Sequence, residues 1–110
     1  MARFIVKIEG KYCEWSTIMD APVTYLMTKN KFEEFYKEEY GNQGMRDLPE
    51  RMGRVKKTGC SAMDNMGYDL NDLIDCNRAG EKEKKLTLKE IIKKFTYREK
   101  NEKWQWFIGQ

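Results

Sequence analysis

Alternation of apolar and polar side chains at the start of the chain restricts the fold more than any other feature. Residues 2–9 alternate, which predicts a strand with one apolar face and one mixed face. Residues 12–18 alternate again, and Gly10 with Lys11 predicts a tight turn between the two segments. The pattern therefore favours an N-terminal β-hairpin. The apolar face of the first strand consists of Phe4, Val6 and Ile8, and its mixed face of Arg3, Ile5 and Lys7.

The segment EWSTIMDAP, residues 14–22, ends the second predicted strand. Trp15 falls on the same strand face as Cys13, which predicts that its indole lies in the core. Asp20 stands where the strand ends, just before Pro22, and an aspartate at such a position typically bonds its own backbone in a turn. The alternative interpretation is that Trp15 and Asp20 line a ligand pocket.

The middle of the chain contains one clear helical pattern. A helix is predicted from residue 30 to residue 40, with Asn30 as its N-cap, Glu33 completing a capping box and Gly41 at its end. Aromatic side chains recur along one face of this helix, which is typical of a core stripe. The stripe consists of Phe32, Phe35, Tyr36 and Tyr40.

Weaker patterns follow this helix. Pro49 is predicted to open a short helical turn at its first position. Residues 54–60 predict a strand around Val55, and residues 69–76 either a short helix or a strand.

The last third of the chain gives the strongest helical signal. Thr87 and Glu90 form a capping box, and apolar spacing predicts a helix over residues 88–97. A final strand is predicted over residues 103–108, in which Trp104 and Trp106 share a face. Together these elements indicate one α+β domain over residues 1–110, with an N-terminal hairpin, two amphipathic helices and a C-terminal strand.

The residue types that are missing restrict the chemistry. The chain has no histidine among its 110 residues, which excludes Ser-His-Asp and Cys-His catalysis and the HExxH zinc site. Its three cysteines lack C-x-x-C spacing, which favours free thiols in a reducing cytoplasm. No apolar run approaches the roughly 20 residues of a membrane span, and the start lacks the features of a signal peptide. We therefore expect a cytoplasmic, non-enzymatic protein without cofactor, metal or membrane.

Charge is segregated along the chain, although the formal net charge is only +3. Residues 46–57 carry five basic and two acidic side chains, and residues 64–75 carry four aspartates and no base. Such polarity orients a protein on a charged partner, although charged residues also simply keep a small domain soluble. The predicted partner-binding residues are Arg46, Arg51, Arg54, Lys56, Lys57, Asp64, Asp69, Asp72, Lys93 and Lys94.

The general character of the chain resembles a known class of proteins. It is short, rich in Lys, Glu and Met, and without histidine or a catalytic signature. In this it resembles accessory proteins encoded by phages and mobile elements of low-GC bacteria, among them anti-CRISPR proteins. The resemblance implies stoichiometric inhibition of a bacterial defence effector. Many such inhibitors mimic DNA with a strongly acidic surface, whereas this chain is net basic and offers only residues 64–75 as an acidic patch.

Three functional hypotheses follow. The leading one is a binding protein that occupies a surface on a larger protein or ribonucleoprotein. The alternative is a single-stranded nucleic-acid-binding module that grips the strand with basic residues and stacks its bases on Trp104 or Trp106. The third is a protein that binds a nucleotide signal in a pocket lined by residues 14–22. A carboxylate pair, for instance Glu14 with Asp20, would support acid–base chemistry if one of the two were buried, but the spacing does not single this pair out.

Overall fold

A computed structural model describes residues 3–62 and 69–96 of the chain. Within these ranges the protein forms a three-stranded antiparallel sheet, in which the strands lie in sequence order, together with three α-helices. The fold is therefore of the α+β class, as predicted. Among the described residues, no helix combines the length and the apolar character needed to cross a lipid bilayer.

The predicted hairpin is confirmed. Its strands are β1 (Arg3–Ile8) and β2 (Lys11–Ser16), which pair along their whole length. The turn consists of Glu9 and Gly10, one residue earlier than predicted. Both residues have positive φ, as a two-residue hairpin turn that follows the twist of the strands requires.

The third strand returns along the free edge of β2. Strand β3 (Ala21–Pro22) pairs with the end of β2, and the chain beyond it stays beside β2 as far as Met27. Met27 and Tyr12 exchange backbone hydrogen bonds of 2.7 and 2.8 Å. Residues 21–27 are all buried, so this apolar segment is an integral part of the sheet layer.

The long helix α1 (Lys29–Thr58) replaces several predicted elements. Thr28 caps it by accepting a hydrogen bond from the Lys31 N–H, so the prediction of Asn30 as N-cap was wrong. Gly41 interrupts the helical geometry with φ 66° and ψ −159°, at the position where the first helix was predicted to end. The helix resumes at once, so that α1 has two arms, residues 29–40 and 42–58.

Two further predictions fail within the second arm. Pro49 lies inside this arm and does not open a separate helical turn. The strand predicted over residues 54–60 is wrong, because Val55 lies in the last turns of α1 and the helix ends at Gly59, whose φ is 81°. The chain then passes β1 as an extended segment, where Cys60 makes a single bridge to Val6.

Short helices form the rest of the described chain. Helix α2 (Leu70–Asp75) is followed by a 3₁₀ turn (Glu81–Glu83) and by helix α3 (Leu88–Phe95). The predicted capping box of Thr87 and Glu90 is confirmed at the start of α3. The predicted strand over residues 103–108, with Trp104 and Trp106, lies outside the described residues.

Both faces of the sheet are covered. The predicted apolar face packs against α2 and α3 in a cluster that includes Phe4, Val6, Trp15, Leu73, Ile91 and Phe95. The mixed face lies under α1, where the cluster consists of Ile5, Met27, Phe32, Phe35, Tyr36, Leu48 and Val55. Glu14 pairs with Ile5 across the hairpin and is also buried, so a carboxylate lies on the sheet face that α1 covers.

Candidate functional site

The connection between β2 and β3 exposes two large apolar side chains. Strand β2 ends at Ser16, two residues earlier than the predicted strand, so Ile18 and Met19 lie in a turn. Ile18 is 60% exposed and Met19 is 42% exposed. We call residues 17–20 the apolar turn. Adjacent exposed apolar side chains are typical of an interaction surface, whereas single ones are common everywhere.

Arg78 fastens the apolar turn from a distant part of the sequence. Its Nη2 donates to the Ile18 carbonyl at 2.8 Å, and its Nε donates to the Asp20 carboxylate at 3.0 Å. Its backbone N–H donates to the Asp20 carbonyl at 2.8 Å, and Nη1 binds Glu83 at 3.0 Å. The turn is therefore held in one conformation while its apolar side chains stay exposed.

A small groove lies beside the apolar turn. It has a volume of about 340 Å³, and the buried side chains of Ala21 and Ala79 contribute to its apolar part. Arg78, Glu83 and Lys94 add charges to its lining. Lys94 is itself held, because its Nζ donates to the Ala79 carbonyl at 2.9 Å. We call this feature the turn groove.

The two residues of the predicted pocket are separated in the structure. Trp15 is fully buried in the core, as predicted. Asp20 lies in the turn with φ 53°, also as predicted, but its carboxylate binds Arg78 and not its own backbone. Neither residue lines the turn groove or the cleft described next.

A second, larger depression lies where α1 bends. This helix-bend cleft has a volume of about 560 Å³ and is lined by Arg3, Glu14, Tyr36, Tyr40, Gln43, Gly44, Asp47 and Arg51. Gly44 permits the bend, because a Cβ at this position would collide with the Cβ of Tyr40 and lie 3.3 Å from the Tyr36 ring. The cleft thus depends on a close approach of the two arms of α1.

Glu14 forms the polar floor of the helix-bend cleft. Only 1% of this residue is exposed, and its two carboxylate oxygens lie 2.7 and 2.8 Å from the Tyr40 hydroxyl, which donates to them. Arg3 Nη1 lies 3.7 Å away. Burial raises the pKa of Glu14, and the Tyr40 hydrogen bond and the Arg3 charge offset part of this effect. Burial and the bond to Glu14 also raise the pKa of Tyr40, which keeps its hydroxyl a donor.

Arg51 joins the second arm of α1 to the sheet. Its Nη1 donates to the Tyr36 hydroxyl, and its Nη2 donates to the Arg3 carbonyl at 2.8 Å and to Ser61 Oγ at 3.3 Å. Ser61 Oγ in turn accepts a 2.8 Å hydrogen bond from the Ile5 N–H. This guanidinium was predicted from sequence to bind a partner, but in the structure it serves first as an internal clamp.

The other predicted basic residues divide into held and exposed side chains. Arg54 is held, because its Nε donates to the Ser61 carbonyl at 2.8 Å and it pairs with Glu50 at 3.3 Å. Arg46, Lys56, Lys57 and Lys93 are exposed. Lys94 is exposed as well, although its Nζ is held by the Ala79 carbonyl in the turn groove. The exposed basic surface is therefore smaller than the sequence suggested.

The predicted acidic residues have local structural roles where the structure describes them. Asp69 and Asp72 form the capping box of α2, each carboxylate accepting from the backbone N–H of the other, at 3.0 and 3.1 Å. Asp64 lies outside the described residues. Within the described residues, no group of three or more acidic or cysteine side chains could hold a metal ion.

Sequence reasoning missed the apolar turn and the helix-bend cleft as sites. The Ile18–Met19 pair just before Asp-Ala-Pro was a usable signal, since apolar residues next to a turn sequence are candidates for exposure. No local signal marked Arg78 as their anchor, because it is 58 residues from Asp20. Comparison with protein-family models, with curated proteins and with solved structures found no match.

Proposed function

We propose that this chain is a non-enzymatic binding protein that docks on a larger protein through the apolar turn. The observation that carries the proposal is the exposure of Ile18 and Met19 in a turn that Arg78 holds by three hydrogen bonds, two to backbone carbonyls and one to the Asp20 carboxylate. A rigid apolar projection loses little conformational entropy on binding, so more of its contact energy appears as affinity. Inhibition or modulation of the partner, such as a bacterial defence effector, is the outcome that we propose for this docking.

The turn groove extends the proposed contact. Its apolar part next to Ile18 and Met19 can accept a side chain of the partner, while Arg78, Glu83 and Lys94 surround it with charge. An apolar centre with a polar rim is the usual anatomy of a protein–protein interface. The charges at the rim contribute mainly to orientation and rate of encounter.

The described side chains also favour binding over catalysis. Two of the cysteines, Cys13 and Cys60, are buried, and burial raises the pKa of the Cys13 thiol, which disfavours the nucleophilic thiolate. The third, Cys76, is exposed, but the chain contains no histidine to act as its base. These features support the proposal of a protein that acts by occupying a surface.

The proposal can be tested by capture from host lysate with immobilised protein. We expect one protein to be retained in stoichiometric amount by the wild type and lost by the double variant Ile18→Ser/Met19→Ser. The matched control is Leu88→Ser, which removes another apolar side chain, 39% exposed, at the start of α3. Retention by the double variant equal to that by wild type would contradict the proposal.

A further variant in the same experiment addresses the nucleic-acid alternative. Lys56→Glu/Lys57→Glu reverses two exposed charges at the end of α1. If the chain binds single strands, this variant captures less nucleic acid than the wild type does. Capture by the wild type then also falls as the salt concentration rises. If docking depends on the apolar turn, the variant retains the partner protein. Circular dichroism of all variants confirms that they fold.

A further inference from the structure

The helix-bend cleft and the turn groove are separate features, since their described linings share no residue. The cleft volume of about 560 Å³ falls within the range of small-molecule sites, roughly 300–1,000 Å³. Its walls come from β1, β2 and both arms of α1, so a ligand seated there would contact elements that are distant in the sequence.

Arg51 presents a guanidinium of fixed orientation to this cleft. The three groups that accept its hydrogen bonds, the Tyr36 hydroxyl, the Arg3 carbonyl and Ser61 Oγ, are all uncharged. Within the described part of the chain no carboxylate forms an ion pair with it. A guanidinium held by neutral acceptors keeps its charge available, and its planar shape suits carboxylate or phosphate oxygens.

Arg3 lies beside Arg51, and one of its hydrogen-bond donors has no acceptor among the described residues. This donor is Nε, which is buried. Its only ion pair there, with Glu14, spans 3.7 Å, longer than the roughly 2.7–2.9 Å of a good charged hydrogen bond. A buried donor without an acceptor is costly, so an additional acceptor near Arg3 would be stabilising.

We propose that the helix-bend cleft binds a small hydroxylated organic anion, with its phosphate or carboxylate group beside Arg3 and Arg51 and a hydroxyl hydrogen-bonded to Asp47. Asp47 lines the cleft and is exposed, and its carboxylate has no hydrogen bond or ion pair with any described residue. A carboxylate only accepts hydrogen bonds, so Asp47 selects a ligand that carries a donor. The Tyr40 ring, 37% exposed, offers an apolar wall to the carbon skeleton.

The buried carboxylate of Glu14 does not oppose an anion in this position. Its oxygens already accept from the Tyr40 hydroxyl and lie 3.7 Å from Arg3, and with 1% exposure it offers almost no surface to a ligand. Its effect is to hold Tyr40 and Arg3 in place. The inference does not depend on the docking proposal, because none of the cleft residues belongs to the apolar turn.

The test is titration calorimetry of the full chain at low ionic strength with four probes. These are ribose 5-phosphate, ribose, citrate and inorganic phosphate. We expect saturable binding of ribose 5-phosphate or of citrate, and the comparison of the two identifies a phosphate or a carboxylate as the preferred group. Ribose, which lacks a charge, should not bind. Absence of binding by both ribose 5-phosphate and citrate would overturn the proposal.

Variants locate the site. Arg51→Gln should lower the affinity for the probe that binds by about tenfold or more, as expected when a charged hydrogen bond is lost. If this variant does not fold, Arg3→Gln takes its place, because the Arg3 side chain is 27% exposed and its ion pair with Glu14 is long, at 3.7 Å. The control is Arg46→Gln, an exposed cation of the same helix arm that does not line the cleft. Equal losses in the control and the cleft variant would show non-specific attraction and refute the site.

Asp47→Asn separates the hydroxyl contact from the anion contact. This variant should lower the affinity for ribose 5-phosphate severalfold, because an amide accepts a hydrogen bond less strongly than a carboxylate does. It should leave the affinity for inorganic phosphate unchanged or raise it, since a negative charge at the cleft is removed. An equal loss for both probes would contradict the assigned role of Asp47.

Discussion

Arg78 at the apolar turn and Arg51 at the helix-bend cleft serve the same structural purpose with different partners. Each joins segments that are distant in sequence by donating to a backbone carbonyl, that of Ile18 or of Arg3. Arg78 also pairs with the carboxylates of Asp20 and Glu83, whereas the other acceptors of Arg51 are hydroxyl groups. The charge of Arg78 is therefore neutralised locally, whereas no carboxylate in the described part of the chain forms an ion pair with Arg51.

This difference explains the two kinds of surface. Where the arginine is neutralised, the large side chains that remain exposed are apolar, namely Ile18 and Met19. Where it is not, a guanidinium without an ion-paired carboxylate among the described residues lines a partly buried cleft, in which electrostatic interactions are stronger than in water. The same type of clamp thus lies at the place where we propose protein docking and at the place where we propose anion binding.

The largest expected effect is the difference between Arg51 and Arg78 in their contribution to the free energy of unfolding. Arg51→Met should lower the free energy of unfolding by about 2–3 kcal/mol, because it removes three hydrogen bonds from a charged donor, those to the Tyr36 hydroxyl, the Arg3 carbonyl and Ser61 Oγ, in a partly buried place. Arg78→Met should cost less than about 1 kcal/mol, since its side chain is 42% exposed and its ion pairs are on the surface. Urea unfolding followed by circular dichroism measures both values. Equal costs would show that the two clamps do not differ as described.

A smaller effect concerns the glycine that shapes the cleft. Gly44→Ala should destabilise the protein by about 2 kcal/mol, because the added Cβ collides with Tyr40 and crowds Tyr36. The control is Gly53→Ala in the same arm of α1, where no atom lies within 4 Å of the added Cβ. This control should stabilise the helix by about 0.5–1 kcal/mol. If Gly44→Ala is as harmless as the control, the arms of α1 do not approach as closely as the structure indicates.

Local signals predicted much of the fold correctly. The alternation of β1 and β2, the burial of Trp15 and the capping box of α3 all depend on residues close together in sequence. The strand predicted around Val55 failed because its alternation was short and weak, whereas in the structure this segment completes a helix packed on Ile5. The break at Gly41 was placed correctly, but nothing local indicated that the helix would resume.

The candidate sites were much less predictable. The only partner that the sequence suggests for Glu14 is Asp20, whereas its hydrogen-bond partner is Tyr40, 26 residues away, and Asp20 pairs with Arg78. The long basic side chains looked alike in the sequence, yet Arg51 and Arg54 are internal clamps while Lys56 and Lys57 are exposed. Charge pattern alone does not distinguish a side chain that binds a partner from one that binds its own backbone.

The last prediction uses pH to examine the polar floor of the cleft. Glu14 faces Arg3 from β1 and Tyr40, Arg51 and Glu39 from α1, and burial outweighs the attractive contacts to raise its pKa. A raised pKa means that the folded protein binds a proton more tightly than the unfolded chain. The resulting stabilisation is complete below the usual pKa of about 4.3 and is lost as pH rises through the raised value.

We therefore expect the stability of wild type relative to Glu14→Gln to fall as pH rises from 4 to 8, and to level off once Glu14 is ionised in the folded state. The change should be small, because Tyr40 and Arg3 offset part of the burial penalty. Chemical unfolding at several pH values measures it, with Glu38→Gln, an exposed position in the first arm of α1, as the control. A relative stability that rises with pH would mean that the Arg3 and Tyr40 contacts outweigh burial. The cleft would then hold a fully paired carboxylate, and Arg3 would be neutralised in the same way as Arg78.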